Sequence, residues 1–202
     1  MRPIRYSVHF LALFVSALIL WLAKDVHLPY WVADFDFFSF GLMGVLYAAS
    51  IVVSLRDRKA NHLVVLCFIA LAAGWSAATP ILGLWGSIVW TPLMEIVPRR
   101  FGLAFPFLTG SAIGAAGYWL LVRLFWLKSL RGADCVRTVV LCVAATLLSY
   151  AVMEALPQSV DRHIRFLLPT VAWWCAFSIS LYWSEVSAHA KGSVEEMVSL
   201  QD

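Results

Sequence analysis

The sequence predicts an all-α membrane protein, a polytopic bundle of six transmembrane helices. Of its 202 residues, 62% are hydrophobic and only 13% are charged, about half the charged fraction of a typical soluble domain. The mean hydropathy is +0.83. The apolar runs approach the roughly 20 residues that a transmembrane helix needs, and none alternates strictly as a barrel strand does. Lipid offers no hydrogen bonds to the backbone, so these runs are expected to be helices.

Six apolar runs define the predicted spans, and one polar segment follows them. The run behind Arg2 and Arg5 has no small-x-small cleavage site, so it is interpreted as a retained first span. No connection is long enough to fold alone, which predicts one transmembrane domain over residues 1–186 and a short cytoplasmic tail over 187–202. The predicted spans are 6–23, 37–55, 62–78, 103–126, 138–156 and 166–185.

Residues 81–97 decide the topology, because they form an apolar run that is short and interrupted. About 17 helical residues cover roughly 25 Å, less than the hydrocarbon core of about 30 Å. Pro92 and Glu95 also interrupt the run, and the preceding helix is expected to end at Thr79 and Pro80. We therefore expect an interfacial or re-entrant segment. A seventh span over the same residues is the alternative.

The distribution of lysine and arginine predicts the orientation. Most of these residues fall in the loops 56–61 and 128–137, near the amino terminus and in the tail, and basic loops stay in the cytoplasm. The six-span arrangement therefore predicts an integral protein of the cell (inner) membrane with a cytoplasmic amino terminus. The net charge of +3 is explained by these loops, and no nucleic-acid-binding pattern accompanies it.

The same topology brings several charged groups to the outer face, where they suggest a binding site. Arginine forks grip carboxylate or phosphate groups bidentately, so an anionic amphipathic substrate, a lipid or a glycan head group, is the hypothesis for function. Whether the protein is an enzyme stays open, although an acid or base beside the arginines would allow proton transfer. The predicted substrate-binding residues are Arg99, Arg100, Arg162 and Arg165, and the candidate catalytic residues are Glu95, Asp161 and His163.

Three alternatives to this site compete with it. Arginines at a membrane edge commonly extend toward the headgroups and pair with nearby acids, without any further role. The second alternative is that the chain is a non-catalytic subunit or assembly factor of a larger membrane complex. A b-type cytochrome is the third alternative, since His9 and His62 lie at inner span ends and His27 and His163 near the outer surface, as two haem ligand pairs would. No cofactor is otherwise indicated.

Small residues in the fourth span form the most specific motif in the chain. Gly110, Gly114 and Gly117 are spaced to let another helix backbone approach closely. We expect this face to pack within the bundle, and contact with a membrane-protein partner is the alternative. No metal-binding motif is present, and four scattered cysteines, Cys67 and Cys142 among them, are expected to be buried hydrophobic side chains. Ser193 with Glu196 resembles a capping box that would begin a short helix in the tail. A segment of about ten residues is marginal as an isolated helix, so a frayed tail is the favoured alternative.

Overall fold

The computed structural model describes residues 35–55, 61–94, 96, 104–128, 130–157 and 162–199, together with positions 11, 14, 15 and 18. Every regular element in these ranges is helical, so the all-α prediction is confirmed for them. A 3-10 turn, Ser87–Trp90, directly follows the α-helix that ends at Gly86. The α-helices are α1 (Phe35–Leu55), α2 (His62–Gly86), α3 (Thr91–Met94), α4 (Ala104–Phe125), α5 (Gly132–Ala155) and α6 (Arg162–Ser199).

Within the ranges that the structure describes, three helical segments are long and apolar enough to cross a membrane: His62–Trp90, Ala104–Phe125 and Gly132–Ala155. Large apolar side chains cover their outer surfaces; Leu66 on α2 is 63% exposed and Leu148 on α5 is 69% exposed. A soluble monomer rarely presents apolar surface this extensive to water. These helices support the prediction that the chain is a membrane protein. The first predicted span, 6–23, lies outside the described residues apart from four helical positions.

The long helices pack in chain order and then close into a bundle. α1 contacts α2, α2 contacts α4, α4 contacts α5, and α5 contacts α6. α6 returns to α1 through a hydrogen bond of 2.6 Å between the Ser178 and Tyr47 hydroxyls. Thr138 of α5 likewise lies 2.7 Å from Ser180 of α6, hydroxyl to hydroxyl. Small and hydroxyl-bearing residues between helices are typical of packing in lipid, where burying apolar surface gives no drive for association.

Aromatic rings fill the centre of the bundle. Tyr47 of α1 packs on Trp174 of α6 with ring centroids 3.9 Å apart, and Tyr118 of α4 meets Trp174 edge-on at 4.9 Å. The Tyr118 hydroxyl donates a hydrogen bond of 3.1 Å to the Gly44 carbonyl. Phe177 completes the cluster. These rings therefore fix α1, α4 and α6 relative to one another.

The helix end predicted at Thr79 and Pro80 is wrong. α2 continues through Pro80 to Gly86, and the 3-10 turn extends the helical path to Trp90. Residues 81–90 thus prolong the helix of the third predicted span and do not form a separate re-entrant element. Neighbouring helices and hydroxyl groups make proline tolerable in membrane helices, and the Thr79 hydroxyl donates to the Trp75 carbonyl at 2.8 Å.

Two further helix boundaries differ from the sequence predictions. α5 begins at Gly132, six positions before the predicted start, because the Asp134 carboxylate accepts a hydrogen bond of 2.9 Å from the Arg131 backbone and caps the helix. α6 runs unbroken from Arg162 to Ser199. Ser193 therefore lies inside a helix, and the prediction that it begins a new one is wrong.

The cysteine prediction is correct for one residue and wrong for another. Cys142 of α5 is fully buried, as expected of a small hydrophobic side chain. Cys67 of α2 is exposed on the bundle surface. An apolar position on a membrane helix faces lipid as readily as core, so apolar sequence alone does not predict burial.

Candidate functional site

The predicted outer-face site falls largely outside the described residues. Glu95, Arg99, Arg100 and Asp161 are among the residues that the structure does not describe. Arg162, His163 and Arg165 form the first turn of α6, where the structure describes the backbone alone. Their roles in substrate binding and proton transfer stay predictions.

One end of the bundle, which we call the proline end, gathers the end of α2 and the starts of α4 and α6. Pro80 of α2, Pro106 of α4 and Pro169 of α6 line the same space there. α5 reaches it through Thr146. The first turn of α6, with Arg162 and Arg165, belongs to this end because it directly precedes Pro169.

The glycine face of α4 lies against α2 of the same chain. A Cβ on Gly110 would approach the Gly83 Cα and the Thr79 carbonyl oxygen to 3.4 Å. A Cβ on Gly114 would come within 2.9 Å of the Thr79 methyl group. Gly117 lies directly beneath the Trp75 indole, which leaves no room for a larger side chain. This face therefore holds the α2–α4 contact.

A cavity of about 310 Å³ opens at the proline end between α2, α4, α5 and α6. Its volume is near the lower limit of roughly 300–1,000 Å³ for small-molecule sites. Leu84, 62% exposed, forms part of its rim. The remaining lining residues are Ser76, Thr79, Pro80, Pro106, Phe107, Gly110, Ser111, Gly114, Tyr118, Thr146, Pro169, Thr170, Trp173 and Trp174.

The lining of the cavity is uncharged, and most of it is apolar or aromatic. No acidic, basic or histidine side chain is found among the described residues that line it. Trp173 fixes one wall, because its indole donates a hydrogen bond of 3.2 Å to the Ser111 carbonyl. Trp173 also stacks on Phe177 at 5.4 Å with an angle of 14° between the rings. The cavity thus suits the uncharged part of a ligand and holds a preformed aromatic wall.

Hydroxyl groups supply the polar atoms of the cavity. Thr146 lies 2.9 Å from the Cys142 carbonyl and 3.0 Å from the Ser111 hydroxyl. Thr146 has a single hydroxyl proton, so it donates to one of these two acceptors at a time. Ser76 is 6% exposed, and its hydroxyl lies against Gly44 of α1.

A polar network joins α5 and α6 at the opposite end of the bundle. Arg137 donates to the Asp134 carboxylate at 2.8 Å and to the Ser184 hydroxyl. Its guanidinium lies 5.3 Å from the centre of the Trp183 ring, a cation–π distance. Asp134 and Arg137 belong to residues 128–137, for which the sequence predicts a basic loop. The structure instead makes them the first turns of α5, where they anchor α6.

Comparison with protein families, curated proteins and solved structures found no match. Within the part of the chain that the structure describes, no group of three or more histidine, cysteine, aspartate or glutamate side chains could hold a metal ion. His62, one of the four histidines of the haem hypothesis, is exposed at the first residue of α2.

The cavity is not predictable from the sequence pattern. Ser76, Ser111 and Thr146 stand within apolar runs, and a buried hydroxyl inside an apolar span is a sequence signal in principle. Most such hydroxyls bond to their own helix, however, as Thr109 does to the Phe105 carbonyl at 2.8 Å. Only the packing of four helices distinguishes the residues that line a cavity from those that do not.

Proposed function

We propose that this chain is a multi-pass membrane protein that binds an anionic amphipathic molecule at the proline end of the bundle. The uncharged part of the molecule occupies the cavity between α2, α4, α5 and α6. The anionic head group lies at the membrane surface against arginines, Arg162 and Arg165 first among them. The observation that carries the proposal is the uncharged cavity of about 310 Å³, whose lining on α6 begins at Pro169, one turn after Arg165.

The helical spacing along α6 supports this arrangement. Positions 162, 165, 169 and 173 are separated by three or four residues, so they follow one face of the helix. Pro169 and Trp173 on this face line the cavity. Arg165 precedes Pro169 by one turn, about 6 Å along the axis, and Trp173 by about 12 Å. A single amphipathic molecule can span that distance.

The remaining predicted residues complete the proposal. Arg99 and Arg100 precede α4, whose first turns also border the cavity, and would add charge to the head-group site. Glu95, Asp161 and His163 are the candidate acid and base if the protein transforms the molecule it binds. In this proposal the chain crosses the cell membrane six times, its amino terminus is cytoplasmic, and the proline end faces outward.

Binding of radiolabelled stearate, an anionic amphiphile, to the protein in nanodiscs of neutral lipid tests the proposal. Stearyl alcohol serves as the uncharged probe, and empty nanodiscs give the background. Arg162→Ala should weaken stearate binding about tenfold, the value of one charge-assisted hydrogen bond, and leave stearyl alcohol unaffected. Equal binding of both probes by the parent protein, or no effect of Arg162→Ala and Arg165→Ala, contradicts the head-group site.

A second pair of variants tests the cavity itself. Leu84→Trp adds bulk at the cavity rim, whereas Leu71→Trp makes the same change on the same helix at a position 52% exposed and outside the lining. We expect Leu84→Trp to weaken stearate binding and Leu71→Trp to bind as the parent does. The cavity is the wrong site if both variants bind equally well.

A further inference from the structure

The mouth of the cavity opens on the side of α2 that faces lipid. Among the described residues that line the cavity, Leu84 is exposed and the others are buried or half-buried. Ile81, Trp85 and Ile88, which lie near Leu84 along α2, are also large exposed apolar side chains. The cavity therefore opens into an apolar surface of the kind that marks contact with a membrane.

This mouth lies at the depth of the hydrocarbon core and below the level of water. Ser76 is the middle residue of the apolar segment His62–Trp90, and Leu84 lies about 12 Å beyond it along the helix axis. The hydrocarbon core extends about 15 Å from its midplane. Trp85 and Trp90, both exposed, follow Leu84 toward the end of the segment, where indoles favour the membrane surface. The mouth is therefore reached from the lipid of one leaflet.

The size of the cavity fits one hydrocarbon chain. A methylene group takes up roughly the room of a water molecule, about 30 Å³ in the liquid, so a cavity of about 310 Å³ holds about ten methylene groups. The Tyr118 and Trp174 rings, which meet edge-on at 4.9 Å, line the deep end of the cavity. Two chains side by side would not fit. The second chain of a two-chain lipid would stay outside the mouth, in the leaflet.

We infer that the ligand is a two-chain anionic lipid of the leaflet at the proline end, which enters sideways past Leu84 and places one acyl chain in the cavity. The inference rests on the proposed function, because it names the class of amphiphile that occupies the same site and the route by which it arrives. A two-chain lipid requires a mouth that is open to the leaflet, since its second chain must remain in lipid. The exposed rim at Leu84 meets this requirement.

The levels of the arginines match the head group of such a lipid. A Cβ on Gly114 would lie 3.5 Å from the Trp173 indole, which places Trp173 near the middle of α4 and of the membrane. Arg165 and Arg162 precede Trp173 by about 12 Å and about 16 Å along α6. Both therefore lie near the hydrocarbon boundary, about 15 Å from the midplane. The phosphate of a lipid lies just beyond the same boundary.

A photoreactive lipid tests where the acyl chain goes. The probe is phosphatidylglycerol with a diazirine midway along one acyl chain, at low mole fraction in phosphatidylcholine nanodiscs, and peptide mass spectrometry locates its adducts. Thr146 is buried and lines the cavity, whereas Leu148 on the same helix is exposed outside the lining and reports contact with bulk lipid. The ratio of adducts at these two residues measures entry into the cavity.

We expect adducts at both Thr146 and Leu148 in the parent protein. Leu84→Trp should lower the adduct ratio about tenfold, a steric effect of the size that overpacking has, and Leu71→Trp should leave it unchanged. Diacylglycerol with the same diazirine offers no charge to the arginines and should give a ratio about tenfold lower. The inference is overturned if phosphatidylglycerol labels Leu148 alone, if Leu84→Trp keeps the parent ratio, or if diacylglycerol labels Thr146 equally well.

Failure of the inference is distinguishable from failure of the proposed function. Stearate with a diazirine, a single-chain anion, is used in parallel. If stearate labels Thr146 and phosphatidylglycerol does not, an anionic amphiphile still occupies the cavity and only the two-chain lipid is wrong. If both probes label Leu148 and neither labels Thr146, the cavity is not the binding site and the proposed function itself is wrong. The unfolding midpoint of Leu84→Trp in detergent checks that its fold is kept.

Discussion

Gly83 offers a sharp test of the contact between α2 and α4. An alanine Cβ at this position would lie 2.7 Å from the Pro106 carbonyl oxygen and 2.8 Å from the Gly110 Cα. Both are backbone atoms that cannot rotate away, so the two helices would have to separate. Gly74 lies on the same helix, and a Cβ there meets nothing within 4 Å. Gly74→Ala is therefore a matched control.

The two substitutions should change stability in opposite directions. At the upper end of its usual range, overpacking of this kind lowers the free energy of unfolding by about 3 kcal/mol. The higher helix propensity of alanine raises it by about 1 kcal/mol. Gly83→Ala should therefore lower the free energy of unfolding by about 2 kcal/mol. Gly74→Ala has no steric cost and should raise it by up to about 1 kcal/mol.

Unfolding by titration with sodium dodecyl sulfate in mixed micelles, followed by tryptophan fluorescence, measures both changes. Gly110→Ala should be intermediate, because the nearest atoms to its Cβ are 3.4 Å away. If Gly83→Ala and Gly74→Ala unfold at the same detergent fraction, the close approach of α2 and α4 is wrong. The same result would remove the explanation for the glycine face.

Two other predictions concern the core and the lipid-facing surface. Tyr47→Phe removes the hydrogen bond to Ser178 and leaves a buried hydroxyl, so the free energy of unfolding should fall by about 1 kcal/mol; an unchanged unfolding midpoint would contradict this contact. Cys67 is exposed and Cys142 is fully buried, so a membrane-permeant maleimide should label Cys67 in the folded protein and Cys142 only after unfolding. Equal labelling of both residues, measured by peptide mass spectrometry, would show that α2 or α5 is rotated from its described position.

The sequence located most of the helices but misplaced several of their ends. The predicted runs 37–55 and 103–126 match α1 and α4 to within two residues at either end, because the charged residues that flank an apolar run mark its length clearly. The break predicted at Pro80 did not occur, since its cost is offset by contacts that lie far away in the sequence. Gly83, three residues later, packs on Gly110 of α4.

The candidate site was less predictable than the fold. Arginines and acids at the ends of apolar runs are visible in the sequence, and they suggested an anionic ligand. The uncharged cavity was not visible, because its lining comes from four helices and consists of residue types that are common in any membrane span. Ser76 and Ser111 look alike in the sequence. They differ in the helix that each hydroxyl meets, because Ser111 bonds to Thr146 of α5 whereas Ser76 lies against Gly44 of α1.

By itself, the sequence determined that this chain is helical and suited to lipid. It has too few charged residues to cover the core of a soluble protein. Apolar segments in lipid must also form their backbone hydrogen bonds within the protein, as helices do. Only the tertiary structure decided where polar atoms meet. The pairing of Thr146 with Ser111 and of Tyr47 with Ser178 depends on helix rotation and register. Side-chain packing sets these, since lipid solvates any apolar face equally well and hydropathy therefore carries no information about which face turns inward.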